Sequence, residues 1–131
     1  MNPYEEINKA LDELEKVEKV ENMTEDFFDR VVENTLDRCR ETLVIKGTEY
    51  RRNNNPMHNF EVGARIEDKT REEVLHGMAL KHDISIRDIR EDITKGILPD
   101  KKVVEEKFGD AINYLILEKA SILDRIENSN K

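Results

Sequence analysis

An all-α fold is predicted for this chain of 131 residues from three properties of its sequence. Apolar residues recur at helical spacing, strand-like alternation is nearly absent, and capping signals precede several of the periodic stretches. Charged residues make up 40% of the chain and aromatic residues only 5%. This composition is typical of helices with narrow apolar stripes. We therefore predict a helical bundle whose core is completed by oligomerisation.

The first 22 residues are predicted to form a helical arm, followed by the main helical domain over residues 23–131. Asn2 as N-cap and Pro3 at the first helical position mark the start of a helix. Its apolar stripe, which runs to about residue 20, is too thin for a core helix. The segment is either an arm packed on a partner subunit or a frayed end, and we favour the arm.

A second helix is predicted from about residue 24 to residue 45. Its apolar stripe includes the single cysteine, Cys39, which we expect to be a buried thiol and which excludes an intramolecular disulfide. Gly47 is expected to end this helix in the left-handed C′ position. Consecutive asparagines and a proline then exclude regular structure over at least residues 53–56.

The remainder of the chain is predicted to be helical with two breaks. Residues 60–66 are short and are interpreted as a helix. Thr70 opens a capping box, and Ser85 resembles a second N-cap that would start another helix. The sequence around Gly96 is a break, after which a long final helix runs to about residue 127.

The final helix carries the most informative polar face of the sequence. Glu106, Asp110 and Asn113 lie within about 60° of each other at helical periodicity. The following segment, residues 114–117, is apolar all the way round, so we expect it to be covered on every side. Paired carboxylates in such a place suit Mg²⁺, although acid pairs of this spacing are also common on solvated surfaces.

Polar residues between residues 46 and 59 form a second candidate site. Glu49 stands with Lys46 and Arg51, whose side chains could meet phosphate oxygens; the alternative is a solvated loop of mixed charge. His58 and Asn59 could contact a base edge or merely close a turn.

Lys81 and His82 lie further along the chain. His82 falls on the same helix side as Met78, which favours a hydrogen-bonded core histidine, and Lys81 could complement a helix dipole.

The net charge and the hydropathy of the chain limit the classes of partner that we expect it to bind. The net charge of -8 argues against binding to the backbone of a nucleic-acid polymer. We also expect neither a signal peptide nor a membrane partner, because no apolar run approaches the length of a membrane span. A cytoplasmic protein is therefore predicted.

Four motifs between about residues 36 and 126 carry a family resemblance. They are Lys46-Gly-x-Glu49-Tyr50, Asn55-Pro-Met-His-Asn-Phe60, Gly77-Met-x-x-Lys81-His82-x-x-Ser85-Ile86 and Glu106-Lys-Phe-Gly-Asp110-Ala-Ile-Asn113-Tyr114-Leu115-Ile-Leu. This combination resembles a family of small phage proteins described as nucleotide-modification-associated. That family looks related to the all-α, MazG-like nucleoside triphosphate pyrophosphohydrolases.

The resemblance implies a fold, a reaction and a site. MazG-like enzymes form helical bundles, bind Mg²⁺ through acids of neighbouring helices and hydrolyse NTPs or dNTPs to the monophosphate and pyrophosphate. Carried over, this makes Glu49, Glu106 and Asp110 the metal ligands and catalytic acids, with Lys81 assisting. With the patterns above, the expected substrate-binding residues are Lys46, Tyr50, Arg51, His58, Asn59, His82, Asn113 and Tyr114. The implied partners are a small-molecule nucleotide and one or three further copies of the chain, in the host cytoplasm if the protein is phage-encoded.

A nucleotide-binding protein without turnover is the alternative. A typical MazG-like second motif is Glu-Glu-x-x-Asp, and Lys107 stands here where the second Glu would be. A Glu-x-x-Glu counterpart of the first motif is missing. Such a protein would sequester a nucleotide signal of host immunity or act as a phage accessory factor. A purely structural helical module is a third possibility.

Overall fold

The computed structural model describes residues 2–18, 22–49 and 51–130, with the backbone alone for residues 12–18 and for Glu49. Within these ranges the chain is helical and forms no strand, which confirms the predicted all-α class. The α-helices are α1 (Pro3–Glu18), α2 (Glu25–Arg40), α3 (His58–Glu67), α4 (Arg71–Thr94) and α5 (Lys101–Ser129). A π-helical segment (Glu41–Ile45) and a 3-10 turn (Lys46–Glu49) follow α2.

The chain divides into two compact units, residues 1–34 and residues 35–131. In the first unit, α1 starts as predicted, because Asn2 Oδ1 accepts a hydrogen bond from the Glu5 backbone N–H at 2.9 Å. Thr24 caps α2 in the same way, with its Oγ1 3.1 Å from the backbone nitrogen of Phe27. The predicted end of the arm near residue 20 lies outside the described residues, and the predicted boundary after residue 22 stays a prediction.

The second unit is organised around α4 and α5, which run antiparallel. Arg71, at the start of α4, contacts Ser121 in the last third of α5, whereas His82, halfway along α4, lies beside Asp110, about one third of the way along α5. Leu75 of α4 and Ser121 of α5 are both 0% exposed. This pair of helices therefore contains the most deeply buried side chains among the described residues.

Arg71 of α4 connects α4 to both α3 and α5. Its Nε donates to the Ser121 hydroxyl at 2.7 Å and its Nη2 to the Ser121 carbonyl at 2.9 Å. Its guanidinium also pairs with Asp124 of α5 at 3.0 Å and with Glu61 of α3 at 3.2 Å. A groove of about 650 Å³ lies beside this residue. Because Arg71 is engaged by all of these partners, we interpret it as a structural clamp.

Glu72 makes a second connection between α4 and α5. Its carboxylate accepts hydrogen bonds from Arg125 and, at 2.8 Å, from the Ser121 hydroxyl. The hydrogen bond from Arg125, helped by that from Ser121, lowers the pKa of Glu72 to about 2 from its ordinary value of 4.5. The ionised carboxylate is thus stabilised by the folded state.

The loop before α3 is held by asparagine side chains. Asn53 and Asn54 adopt left-handed backbone angles, with φ of 56° and 59°, and form a turn that asparagine tolerates. Asn55 then accepts from the Met57 N–H at 3.0 Å and donates to Glu61 at 2.9 Å. The predicted irregular stretch over residues 53–56 is confirmed, as is the Thr70 capping box at the start of α4.

Two predicted helix ends are wrong. α4 continues through Ser85, whose hydroxyl donates to the Lys81 carbonyl at 3.0 Å, so this serine bonds inside the helix instead of capping a new one. Gly47 has no left-handed conformation; the chain passes instead from the π-helical segment into the 3-10 turn. A Cβ at Gly47 would lie 3.2 Å from the Thr42 carbonyl oxygen, which explains the glycine by close approach.

The apolar segment of α5 is not covered within the single chain. Leu115 is 66% exposed and Ile116 is also exposed, so the expectation that residues 114–117 are covered on every side is wrong for one copy of the chain. Among the described residues, no helix is long and apolar enough to cross a membrane.

Glu72→Gln should reduce the dependence of stability on acid pH. The folded pKa lies below the unfolded one, so the stabilisation by the carboxylate is present above about pH 4.5 and is lost as the pH falls towards about 2. We expect the variant to lose about 1–2 kcal/mol at neutral pH, after allowance for solvent screening, and to converge with the unmodified protein only below about pH 2. Urea unfolding of both proteins across this pH range measures the difference in the free energy of unfolding. Glu91→Gln, in an exposed ion pair with Lys95, is the matched control; equal curves for both variants would contradict the prediction.

Candidate functional site

A cleft of about 400 Å³ separates the π-helical segment and its neighbours from α5, entirely within the second unit. One wall is formed by Arg38, Cys39, Glu41, Thr42 and Lys46, and the other by Glu105, Glu106, Gly109, Asp110 and Asn113. The two walls therefore come from segments that are more than fifty residues apart in the sequence.

The α5 wall carries the polar face that the sequence predicts. Glu106, Asp110 and Asn113 follow one another at spacings of four and three residues on an uninterrupted α-helix, so their side chains share one face. All three line the cleft, which confirms the prediction that they lie together.

Asn113 is a buried polar residue with an unpaired acceptor. It is 9% exposed, and its Oδ1 atom has no hydrogen-bond partner among the described residues. Buried oxygen atoms are nearly always paired, and an unpaired one costs about 1–3 kcal/mol of stability. Asn113 Oδ1 is therefore a buried acceptor with unused hydrogen-bonding capacity.

His82 lies beside Asp110 and stacks on Tyr114. His82 Nδ1 lies 3.6 Å from Asp110 Oδ2, and its ring stacks on Tyr114 with centroids 5.5 Å apart. The His82 side chain is largely buried, as the core-histidine interpretation predicts, but its Nδ1 atom has no hydrogen-bond partner among the described residues, so the expected hydrogen bond is not found at this atom. Stacking on Tyr114 fixes the position of the His82 ring beside the Asp110 carboxylate.

The opposite wall has an irregular helical backbone. The Lys46 N–H donates to the Glu41 carbonyl five residues earlier, which is the π-helical pattern. Arg51 Nη2 donates to the Leu43 carbonyl at 2.8 Å and thereby satisfies a backbone group at the end of this segment. Such π-helical turns are frequent at functional sites. Arg51, predicted to bind phosphate, is thus engaged in supporting the cleft wall.

The charges of the cleft are unevenly balanced. Arg38 pairs with Glu105 across the cleft at 3.0 Å, and Lys46 pairs with Glu41 at 3.3 Å. Two cations face four carboxylates, so the lining has a net charge of -2. Burial raises the pKa of the Cys39 thiol, which therefore stays neutral and adds no charge.

A metal site is not fully assembled in the described part of the chain. No group of three or more His, Cys, Asp or Glu side chains there has the arrangement to hold a metal ion. The side chain of Glu49, and all of Tyr50, lie outside the described residues, so their predicted roles stay predictions.

Three other predicted residues lie elsewhere in the second unit. His58 begins α3, where its N–H donates to the Asn55 carbonyl at 3.2 Å, and Asn59 is exposed beside it. Lys81 is exposed on α4. None of the three is among the residues that line the cleft.

The sequence patterns did not single out Arg38, Glu41 or Glu105. Each appears as one more charge in a chain rich in charged residues. The available signal was weak: Arg38 and Glu41 lie three residues apart at the end of a helix, and Glu105 precedes the acid pair directly.

Comparisons with protein-family models, with curated proteins and with solved structures find no match to this chain. The class of protein is therefore defined by its own geometry, as an all-helical protein with an acidic cleft beside a π-helical turn.

Replacing Asn113 by leucine should stabilise the fold, because the variant removes a buried acceptor that has no partner. We expect the free energy of unfolding to rise by about 1 kcal/mol. Ser121→Ala is the matched contrast: Ser121 is buried but hydrogen-bonded to Arg71 and Glu72, so its loss should destabilise. Denaturant unfolding of both variants measures the difference, and a destabilised Asn113→Leu would show that the amide is already satisfied.

Proposed function

We propose that this protein is a Mg²⁺-dependent nucleoside triphosphate pyrophosphohydrolase with a MazG-like helical architecture. The observation that supports the proposal is the cleft in which Glu106, Asp110 and the unpaired Asn113 lie side by side on α5. The motif resemblance adds the reaction, the conversion of an NTP or dNTP to the monophosphate and pyrophosphate.

The residues of the cleft fit a magnesium ion shared with phosphates. Mg²⁺ usually takes one or two carboxylates from the protein and fills its other positions with water and substrate oxygens. Glu106 and Asp110 supply two carboxylates, and the net charge of -2 favours a divalent cation. When bound, Mg²⁺ would neutralise the charge on the phosphates. Glu49 is the additional ligand implied by the resemblance.

The remaining residues have supporting roles in this proposal. Lys46 lines the cleft and can contact a phosphate group, and Asp110 lies beside His82, whose ring stacks on Tyr114. In this proposal Glu41, the acid of the opposite wall that pairs with Lys46, would orient the attacking water once Lys46 turns to the substrate.

Binding without turnover is the second candidate, and the charge pairing favours it. Of the four carboxylates that line the cleft, Glu41 and Glu105 are neutralised by ion pairs, which leaves Glu106 and Asp110 to hold a metal. Lys107 takes the place of a further acid on α5. A protein with this site could sequester a nucleotide signal and leave it intact.

We further propose that a second copy of the chain covers α5. Leu115, Ile122 and Ile126 are exposed along one face of this helix, and Glu118 and Lys119 lie between them. Such an apolar stripe indicates an interaction surface when it is not covered within the chain.

The order of residues on α5 suits antiparallel pairing with itself. About a two-fold axis between Glu118 and Lys119, each Glu118 faces the partner's Lys119, and each Leu115 faces the partner's Ile122. The surface is therefore complementary to itself in both charge and apolarity. It supports a homodimer, two of which could form the predicted tetramer.

Incubation with each NTP and dNTP in the presence of Mg²⁺ should release pyrophosphate. Glu106→Gln and Asp110→Asn should each lower the rate by about 100-fold or more, because each removes a charged ligand of the metal. Glu127→Gln, on the same helix but outside the cleft, should keep the rate of the unmodified protein. Calorimetric binding of a nucleotide without pyrophosphate release would establish the second candidate, and the absence of both would overturn the proposal.

Leu115→Glu should convert the dimer to a monomer, because it places a charge at an apolar contact. Light scattering coupled to gel filtration measures the mass. Ile66→Glu is the matched control, since Ile66 is 78% exposed but lies on α3. Glu118→Lys alone should weaken the dimer, and the double exchange Glu118→Lys with Lys119→Glu should restore it. A monomeric unmodified protein would contradict the proposed pairing.

A further inference from the structure

We propose that Arg38 binds the polyphosphate of the ligand, and that Glu105 occupies Arg38 until the ligand arrives. Binding would exchange the Glu105 carboxylate for a phosphate group. This inference rests on the proposed function of the cleft and adds to it a phosphate-binding residue and its partner.

The contact between the two residues bridges the cleft. Arg38 extends from the end of α2 and Glu105 from the start of α5, with Arg38 Nε 3.0 Å from Glu105 Oε2. The side chains are 57% and 32% exposed. Because water and salt compete with an ion pair of this exposure, the pair contributes little stability and is easily opened.

A phosphate group is a better partner for Arg38 than Glu105 is. The guanidinium presents a planar fork of N–H donors that fits two oxygens of a carboxylate or of a phosphate. A polyphosphate offers the same oxygen geometry with more negative charge. The Glu105 carboxylate therefore stands in for a phosphate at the position that the ligand would take.

The charge of the cleft couples the ligand to a divalent cation. Glu105 is adjacent to Glu106 and lines the same cleft, so a phosphate that replaces it on Arg38 lies next to the acids of α5. The net charge of -2 meanwhile repels a phosphate that arrives without a cation. Phosphate and divalent cation should therefore favour each other's binding, and by an equal factor in both directions.

Calorimetric titration with inorganic tripolyphosphate in excess Mg²⁺ tests the role of Arg38 without reference to any base. In the full-length protein, Arg38→Ala should weaken binding by about 10- to 100-fold, as expected for the loss of a charge-assisted contact. Arg40→Ala is the matched control, because Arg40 is an exposed arginine of the same helix end that does not line the cleft. Its affinity should equal that of the unmodified protein.

The role of Glu105 gives an effect of the opposite sign. Glu105→Gln removes the competitor of the ligand and should tighten tripolyphosphate binding by about two- to fivefold. Glu127→Gln should leave it unchanged. In the double variant Arg38→Ala with Glu105→Gln, the gain should disappear, because it requires the arginine. A merely structural contact would instead lower the melting temperature of both single variants and leave the affinity of neither improved.

Tripolyphosphate binding separates the role of Arg38 from the proposed function of the cleft. If the unmodified protein binds Mg²⁺-tripolyphosphate and Arg38→Ala binds it as Arg40→Ala does, the inference is overturned and the proposed site stands. Weaker binding by Glu105→Gln would also overturn it, since the carboxylate would then be a ligand in its own right. If the unmodified protein binds neither tripolyphosphate nor any nucleotide, the proposed function fails and the inference fails with it.

Discussion

Antiparallel packing of α4 against α5 determines the geometry of the whole second unit. Arg71 and Ser121 fix the register at one end, where Leu75 and Ser121 are excluded from solvent. The same register places His82 beside Asp110 some eleven residues further along α4. A shift of one helical turn between the two helices would bury different side chains and would also move His82 away from Asp110. The packing of α4 against α5 therefore affects both the stability of the unit and the surroundings of Asp110.

Features of the fold that depend on interactions between residues near in sequence could be predicted, and features that depend on tertiary packing could not. Asn2 and Thr70 were identified as caps because their hydrogen-bond partners lie three residues away. Ser85 has the same local appearance, but α4 continues because packing against α5 extends along it, and its hydroxyl finds a carbonyl inside the helix. Leu115 was expected to be covered because the sequence does not distinguish contacts within a chain from contacts between copies.

The two walls of the cleft also differ in how far the sequence predicts them. Glu106, Asp110 and Asn113 could be placed together in advance because a regular helix of constant periodicity carries all three. Arg38 and Glu41 could not, since only tertiary packing brings them to α5 and since paired surface charges look alike in any sequence. The buried and unpaired state of Asn113 likewise depends on neighbours that no local pattern contains.

The π-helical turn before Lys46 gives the cleft a sensitivity to chain length. Its hydrogen bond spans one residue more than that of an α-helix, so every residue after it is rotated relative to where a continuous α2 would present it. Deleting a single residue between Glu41 and Ile45 would remove this offset while leaving the amino-acid types of the wall almost unchanged. The Lys46 side chain would then point in a different direction around the helix axis. A one-residue deletion in this wall should consequently disturb the cleft more than a conservative substitution does.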